Sequence, residues 1–271
     1  MSKRARSLPH FRNIFLSDIH LGYKDCKAEA LLQLLQSMTC DNLYLLGDIV
    51  DLWSLKRKPY WPPEHQRVID KITALANSGT KVQYIPGNHD IELRDYLPLT
   101  IKNIEVCQSS RFVSQSGQSF LLIHGDLFDG LVRCPKLLTW LGDKLYDFLL
   151  FINRWFNWTR KLMGKPYWSL AQFIKQRIGK AQEYIDRYQQ AALAYAEQKG
   201  YQGIICGHIH QPAISMQKGL YYLNCGDWIE NCSFIVEDEH GELQLRYWYE
   251  KHIQQSTMPV QNVDTPLDKA A

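Results

Sequence analysis

No stretch of this chain stays apolar for long. A membrane-crossing helix needs roughly 18 apolar residues in a row, and the longest candidate, Phe148 to Ile152, breaks at Asn153 and Arg154. The basic segment Ser2 to Arg12 has no apolar core ahead of the first strand-like run, which predicts no secretory signal. None of the seven cysteines forms a C-x-x-C pair. That argues against a sulfur-rich zinc site and predicts reduced thiols in a cytoplasmic protein. There is no internal repeat. Net charge is only +3 over 271 residues, so the average says little about partners.

What is present is ordinary globular composition, 45% hydrophobic and 22% charged, enough to build a sizeable core. Asn13 to Ser17, Asn42 to Leu46 and Lys81 to Ile85 read as buried strands. Between them, Lys27 to Met38 and Glu64 to Asn77 carry apolar residues at helical spacing, the second opened by Pro62 and Pro63 and stopped at Gly79. This β-α-β-α-β order predicts a largely parallel sheet with right-handed crossovers. Short strands are expected near residues 105–106, 111–113 and 118–123. Others are expected at 203–206, 213–216, 220–223, 233–236 and 243–248. A long helix is expected from about Leu170 to Gln198. The polar, aperiodic residues 251–271 predict a disordered tail.

Chemistry-bearing side chains recur where strands end. Val82 to Ile85 runs into Pro86-Gly87 and then Asn88-His89-Asp90. Four further clusters share its character: Asp18-Ile19-His20, Gly47-Asp48, His124-Gly125-Asp126 and His208-Ile209-His210. Their donors are carboxylate, amide and imidazole, without thiolate, which suits Mn²⁺, Fe or Zn²⁺. The seven side chains Asp18, His20, Asp48, Asn88, His124, His208 and His210 exceed what one ion needs, and with one shared carboxylate they serve two. In D-x-H and H-x-H, alternate residues of an extended segment would point to one side. Asp51 and Asp126 are expected to fix loops or ligands. Asp25, Glu92 and Asp95 are expected on solvated faces.

In this order, Ser17-Asp18-Ile19-His20, Gly47-Asp48-Ile49-Val50-Asp51, Gly87-Asn88-His89-Asp90, His124-Gly125-Asp126 and Gly207-His208-Ile209-His210 resemble the five blocks of the calcineurin-like metallophosphoesterases. The resemblance spans about Ile14 to Trp248. It implies an α/β fold, a four-layer sandwich of two mixed sheets flanked by helices. It also implies one domain over 13–250 with a helical cap inserted at about 128–200. It assigns one divalent metal ion to Asp18, His20, Asp48 and His210, and a second to Asp48, Asn88, His124 and His208, with Asp48 shared. Manganese is the expected metal. His89 would stabilise charge or protonate the leaving oxygen, and Asp90 would orient it. The chain is most similar to the UDP-2,3-diacylglucosamine hydrolase branch, through its size, its insertion after the HGD block and the segment Asn224-Cys225-Gly226-Asp227-Trp228. That branch cleaves the pyrophosphate of a lipid-linked nucleotide sugar in lipid A synthesis. Typical members carry arginine where this chain has His89. The residues also admit a nuclease or cyclic-nucleotide phosphodiesterase. They admit as well a metal-bearing scaffold without turnover, which the intact His89 argues against.

From Leu131 to Lys180 the chain has ten basic residues against two acidic ones, interleaved with tryptophans, tyrosines and phenylalanines. A basic, Trp-rich amphipathic segment suits the anionic inner face of the cell membrane. Along a cleft it suits a phosphorylated, acylated substrate. Single-stranded nucleic acid is a further partner of that chemistry, and a helical cap with core aromatics needs no partner at all.

Overall fold

The computed structural model describes residues 8–130, 132, 152–165, 168, 179–249 and 256–257. In chain order the elements are β1 (His10–Leu16), α1 (Ala28–Ser37), β2 (Thr39–Leu46), α2 (Leu52–Arg57), α3 (Pro63–Asn77) and β3 (Lys81–Ile85). They continue with β4 (Leu99–Ile101), β5 (Ile104–Val106), β6 (Ser110–Val113) and β7 (Ser119–Leu122). Then come helix α4 over residues 152–162 and α5 (Gly179–Gln198). Six strands close the fold: β8 (Gly203–Cys206), β9 (Ala213–Gln217), β10 (Leu220–Asn224), β11 (Ser233–Glu237), β12 (Leu243–Tyr247) and β13 (Ser256–Thr257).

Two sheets result, ordered β13-β12-β11-β1-β2-β3-β5-β4 and β6-β7-β8-β10-β9. The first is parallel from β1 through β2 and β3 to β5, with α1 and α3 supplying the crossovers from β1 to β2 and from β2 to β3. The second is parallel through β7, β8 and β10. Strand ends in both sheets are buried on both faces, as the unbroken apolar runs require. Leu31, Leu35, Val68 and Ile72 of α1 and α3 cover the outer face of the first sheet. Ile185, Tyr188, Ala192 and Ala196 of α5 cover the second. Between the sheets lie Phe15, Ile85, Phe112, Phe120 and Ile205. This is a four-layer α/β sandwich with two mixed sheets.

The helix expected within the cap therefore has a different task from Gly179 onward: it is an outer layer of the sandwich. The rest of the 128–200 insertion lies outside the described residues, apart from residues 128–130, 132, 152–165 and 168. So does the expected disordered tail, of which Ser256–Thr257 pair with β12. Cys26, Cys40, Cys107, Cys206, Cys225 and Cys232 are free thiols. Among the described residues no helix is long and apolar enough to cross a membrane.

Phe15 holds the two sheets together, stacked 4.9 Å from Tyr44 and edge-on 5.1 Å from Phe112. Phe15→Ala is expected to cost about 3–5 kcal/mol, read as a lower denaturant midpoint at unchanged slope. A loss below about 1 kcal/mol would mean the sheets do not depend on this contact.

Candidate metal centre

Every donor cluster sits just past the carboxyl end of a strand. Asp18 and His20 follow β1, Asp48 follows β2, Asn88 and His89 follow β3, His124 follows β7, and His208 and His210 follow β8. The sandwich turns those ends of both sheets to one edge. Among the described residues three groups gather there, Asp18 with His20 and His210, Asp48 with His124 and His208, and His20 with Asp51 and His89, each with its ligand atoms within 4.8 Å of one another. The first two fall within the two expected sets, the first without Asp48 and the second without Asn88. Asn88 joins the second, its Oδ1 3.1 Å from His124 Nε2.

Asp48 stands between the first two groups. Its Oδ1 accepts the His89 backbone N–H at 2.8 Å. Its Oδ2 lies 3.4 Å from His124 Nε2 and 3.8 Å from His20 Nε2. Asp18 Oδ2 is held by the His208 N–H at 2.9 Å, while Oδ1 lies 3.2 Å from His210 Nε2 and makes no hydrogen bond. His20 Nε2 and His210 Nε2 are 3.3 Å apart.

The backbone that aims these groups is not extended. Asp18, His20, Asp48, His208 and His210 all have left-handed φ, between 51° and 72°. The expectation that alternation along a strand points each pair to one side is therefore corrected: local left-handed turns do it. Such residues cost of order 1–3 kcal/mol each and persist where the surroundings over-determine them. Here Asp18 N–H bonds the Gly47 carbonyl, His20 N–H the Asp48 carbonyl, and Trp228 N–H the Asp18 carbonyl. Two glycines are required by close approach. A Cβ on Gly87 would sit 2.2 Å from Asp48 Oδ1, and one on Gly207 2.2 Å from Asp18 Oδ2.

The chemistry of the donors fits a pair of divalent cations. His124 Nδ1 lies 2.9 Å from the Leu46 carbonyl and donates its proton there, so Nε2 turns toward Asp48 and Asn88 oxygens. A nitrogen lone pair facing two oxygens is stable only with a proton or a cation between them. Without metal the proton serves. Burial pushes the His20 and His124 imidazoles down, but neighbouring carboxylates outweigh it. Asp51, Asp48 and Asp18 raise His20 to about 9, and Asp48 and Asp18, with the Leu46 carbonyl, raise His124 to about 10. In turn, Asp48 is held well below the usual carboxylate range, since His124, His20 and His89 overcome its desolvation.

His89 sits off the first two groups and belongs to the third, with His20 and Asp51. Its Nδ1 lies 3.0 Å from Asp51 Oδ1, and its ring packs against His20 at 4.7 Å and Trp53 at 4.4 Å. Asp90, expected to orient His89, makes different contacts. Its carboxylate accepts N–H groups of Gly87, Asp48 and Ile49 and the Tyr84 hydroxyl, tying the loop after β3 to the loop after β2. Asp51 takes the orienting position. It reaches His20 Nδ1 at 3.2 Å as well as His89, and its Oδ1 caps α2 by accepting Ser54 N–H at 2.7 Å. The signal was an acid three residues after Asp48. Asp126 pairs with Arg94 at 2.8 Å, which also bonds the Pro86 carbonyl, so it does fix loops. Asp129 was missed. It lies 2.8 Å from His208 Nε2 and accepts the Tyr184 hydroxyl.

Two outcomes follow. His20 and His124 are raised above their unfolded value near 6.5, so the stability they give the metal-free chain is full below about 6.5 and lost as pH rises through about 9 to 10. Melting temperature of chelator-treated protein should fall across that window, and uptake of a divalent cation near pH 7 should release protons. A flat profile would contradict the proton-for-metal account. Asp51→Asn should keep metal yet lower turnover about 10- to 100-fold; unchanged turnover would remove its orienting role.

The family model of the calcineurin-like phosphoesterases matches residues 11–212. A UDP-2,3-diacylglucosamine hydrolase of Aeromonas salmonicida is 28% identical over 240 residues, covering 82% of this chain and 88% of its own. One from Haemophilus influenzae is 25% identical over 242 residues, covering 84% and 95%. A structurally characterised E. coli phosphoesterase, Yfce, superimposes with a TM-score of 0.47 at 17% identity, over 91% of this chain and 99% of that one. With the blocks in order on a two-sheet scaffold and a family match across most of its length, the chain belongs to the calcineurin-like phosphoesterases and is a metal-dependent phosphoesterase.

Proposed function

We propose that residues 13–250 form one catalytic domain that hydrolyses a phosphoester or pyrophosphate bond with two divalent cations. The substrate we infer is UDP-2,3-diacylglucosamine or a related lipid-linked diphosphate. The carrying observation is Asp48, whose Oδ2 faces an imidazole from each group while Oδ1 is fixed by the backbone. Asp18, His20, Asp48 and His210 would hold one cation, and Asp48, Asn88, His124 and His208 the other. The oxygen and imidazole donors suit manganese, iron or zinc, and we infer manganese. Bound there, the ions would stabilise charge on the attacking and leaving oxygens of an in-line displacement at phosphorus.

The chain's own residues do the rest. Asp51 Oδ1 lies 3.0 Å from His89 Nδ1, an ion pair when the imidazole is protonated on both nitrogens, and Nε2 would then give its proton to the leaving oxygen. Trp53 covers one face of that ring. The names of the curated relatives support the nucleotide-linked acylated sugar. Exposed Trp155, Leu162 and Met163 on or beside α4, next to Arg160, support peripheral contact with an anionic membrane surface.

The test is a metal-supplemented assay on UDP-2,3-diacylglucosamine, monodisperse and in phosphatidylglycerol vesicles. UMP and acylated sugar phosphate should appear, faster from vesicles. Asp48→Ala should lose metal and activity together. His89→Ala should keep metal and turn over about 10²–10⁴ times more slowly. Cleavage of single-stranded DNA or a cyclic nucleotide without UMP release would overturn the substrate. Equal rates from both presentations would remove the membrane contact, and full activity of Asp48→Ala the shared carboxylate.

A further inference from the structure

A second concave site lies where α4 meets the core, apart from the donor clusters. It is a cavity of about 470 Å³, within the range of small-ligand pockets. The core side contributes Asp25, Lys27 and Ile229, and the α4 side contributes Arg154, Trp158, Lys161 and Lys165. Among the described residues four cationic side chains line the cavity beside one carboxylate, and that carboxylate is engaged by Arg154.

Asp25, expected on a solvated face, is only 5% exposed. Arg154 Nη1 lies 2.6 and 2.7 Å from its two oxygens. A buried acid held this way locks α4 to the loop that leaves His20 and neutralises the one negative group that lines the cavity among the described residues. Lys27 Nζ is anchored by the Asp25 carbonyl at 3.1 Å. Lys161 and Lys165 are exposed. Exposed lysines on a helix usually decorate a solvated face. These differ because Lys27 is brought in opposite them from the loop after β1, and Arg154 of α4 is held across the same concave space by Asp25. Cations of one sign are kept together in a partly desolvated space when an anion completes them. A tetrahedral oxyanion accepts from several ammonium and guanidinium groups at once. Trp158 and Ile229 give the cavity an apolar wall, which suits an organic group carried on that anion.

We propose that this cavity is a phosphate-recognition site for a phosphate ester with an apolar or neutral organic portion. It is separate from the metal centre, and it does not depend on which bond is cleaved there. The phosphate comes either from a soluble ester or from a lipid headgroup.

The experiment uses the full chain stripped of metal, at fixed ionic strength. Glycerol 3-phosphate and inorganic phosphate are titrated calorimetrically, and vesicles of phosphatidylglycerol in phosphatidylcholine are tested by cosedimentation. Wild-type protein should bind at least one of the three probes saturably. Lys161→Gln with Lys165→Gln should weaken that binding at least tenfold, and the double arginine variant should restore it. Metal-loaded Lys161→Gln/Lys165→Gln should hydrolyse a small aryl phosphodiester within twofold of wild type, since neither lysine touches the metal centre. Loss confined to the soluble esters identifies a soluble phosphate, and loss confined to vesicles a lipid headgroup; both support the site. No binding by wild type, or equal binding by the glutamine variant, overturns it.

Discussion

Mutual repulsion and desolvation at one edge of the sandwich govern this molecule. Three carboxylates and five imidazoles crowd there, several of them cut off from water. Burying like charges together is unfavourable unless opposite charge is interposed. In the metal-free chain protons on His20 and His124 supply it. Divalent cations supply it better, because each can replace more than one proton and satisfy several lone pairs at once. The need for cations is thus a property of the packing, ahead of any reaction.

The rest of the fold reads as what is required to sustain that crowding. Left-handed residues at five candidate ligand positions would relax if the loops were free. They are not free. The loop after β1 bonds the loop after β2, and Ser17 and Asp18 bond Gly226 and Trp228 from beyond β10 in the other sheet. Asp90 clamps two loops from inside, and burial together with the Asp48 charge raises its carboxyl against those bonds. Backbone strain is therefore carried by contacts that span both sheets, and the inter-sheet core around Phe15 is part of the site's support.

Much of this was legible in the sequence. Strand runs such as Val82 to Ile85 and the helical stripe of Leu31, Leu32, Leu34 and Leu35 depend on local periodicity, and both formed as expected. The donor residues were legible because glycine, aspartate and histidine recur at strand ends in a fixed order. Their aiming was not, since left-handed φ at Asp18 or His208 is imposed by partners distant in the chain. α2 escaped notice for a similar reason: six residues make a helix here because Asp51 caps it while holding two histidines. Asp129 and Asp25 were out of reach because each is defined by a partner, His208 or Arg154, from a remote segment. α5 carries a helical period in either task, and only its contacts with Ile204 and Tyr222 show it to be a layer of the sandwich.

The most direct measurement is the anomalous difference map of crystals soaked in a manganese salt. Two peaks roughly 3.5–4 Å apart, one beside Asp18 and His210, the other beside Asn88 and His124, with Asp48 between them, are expected. A single peak, or none, with those side chains otherwise in place, would contradict the account.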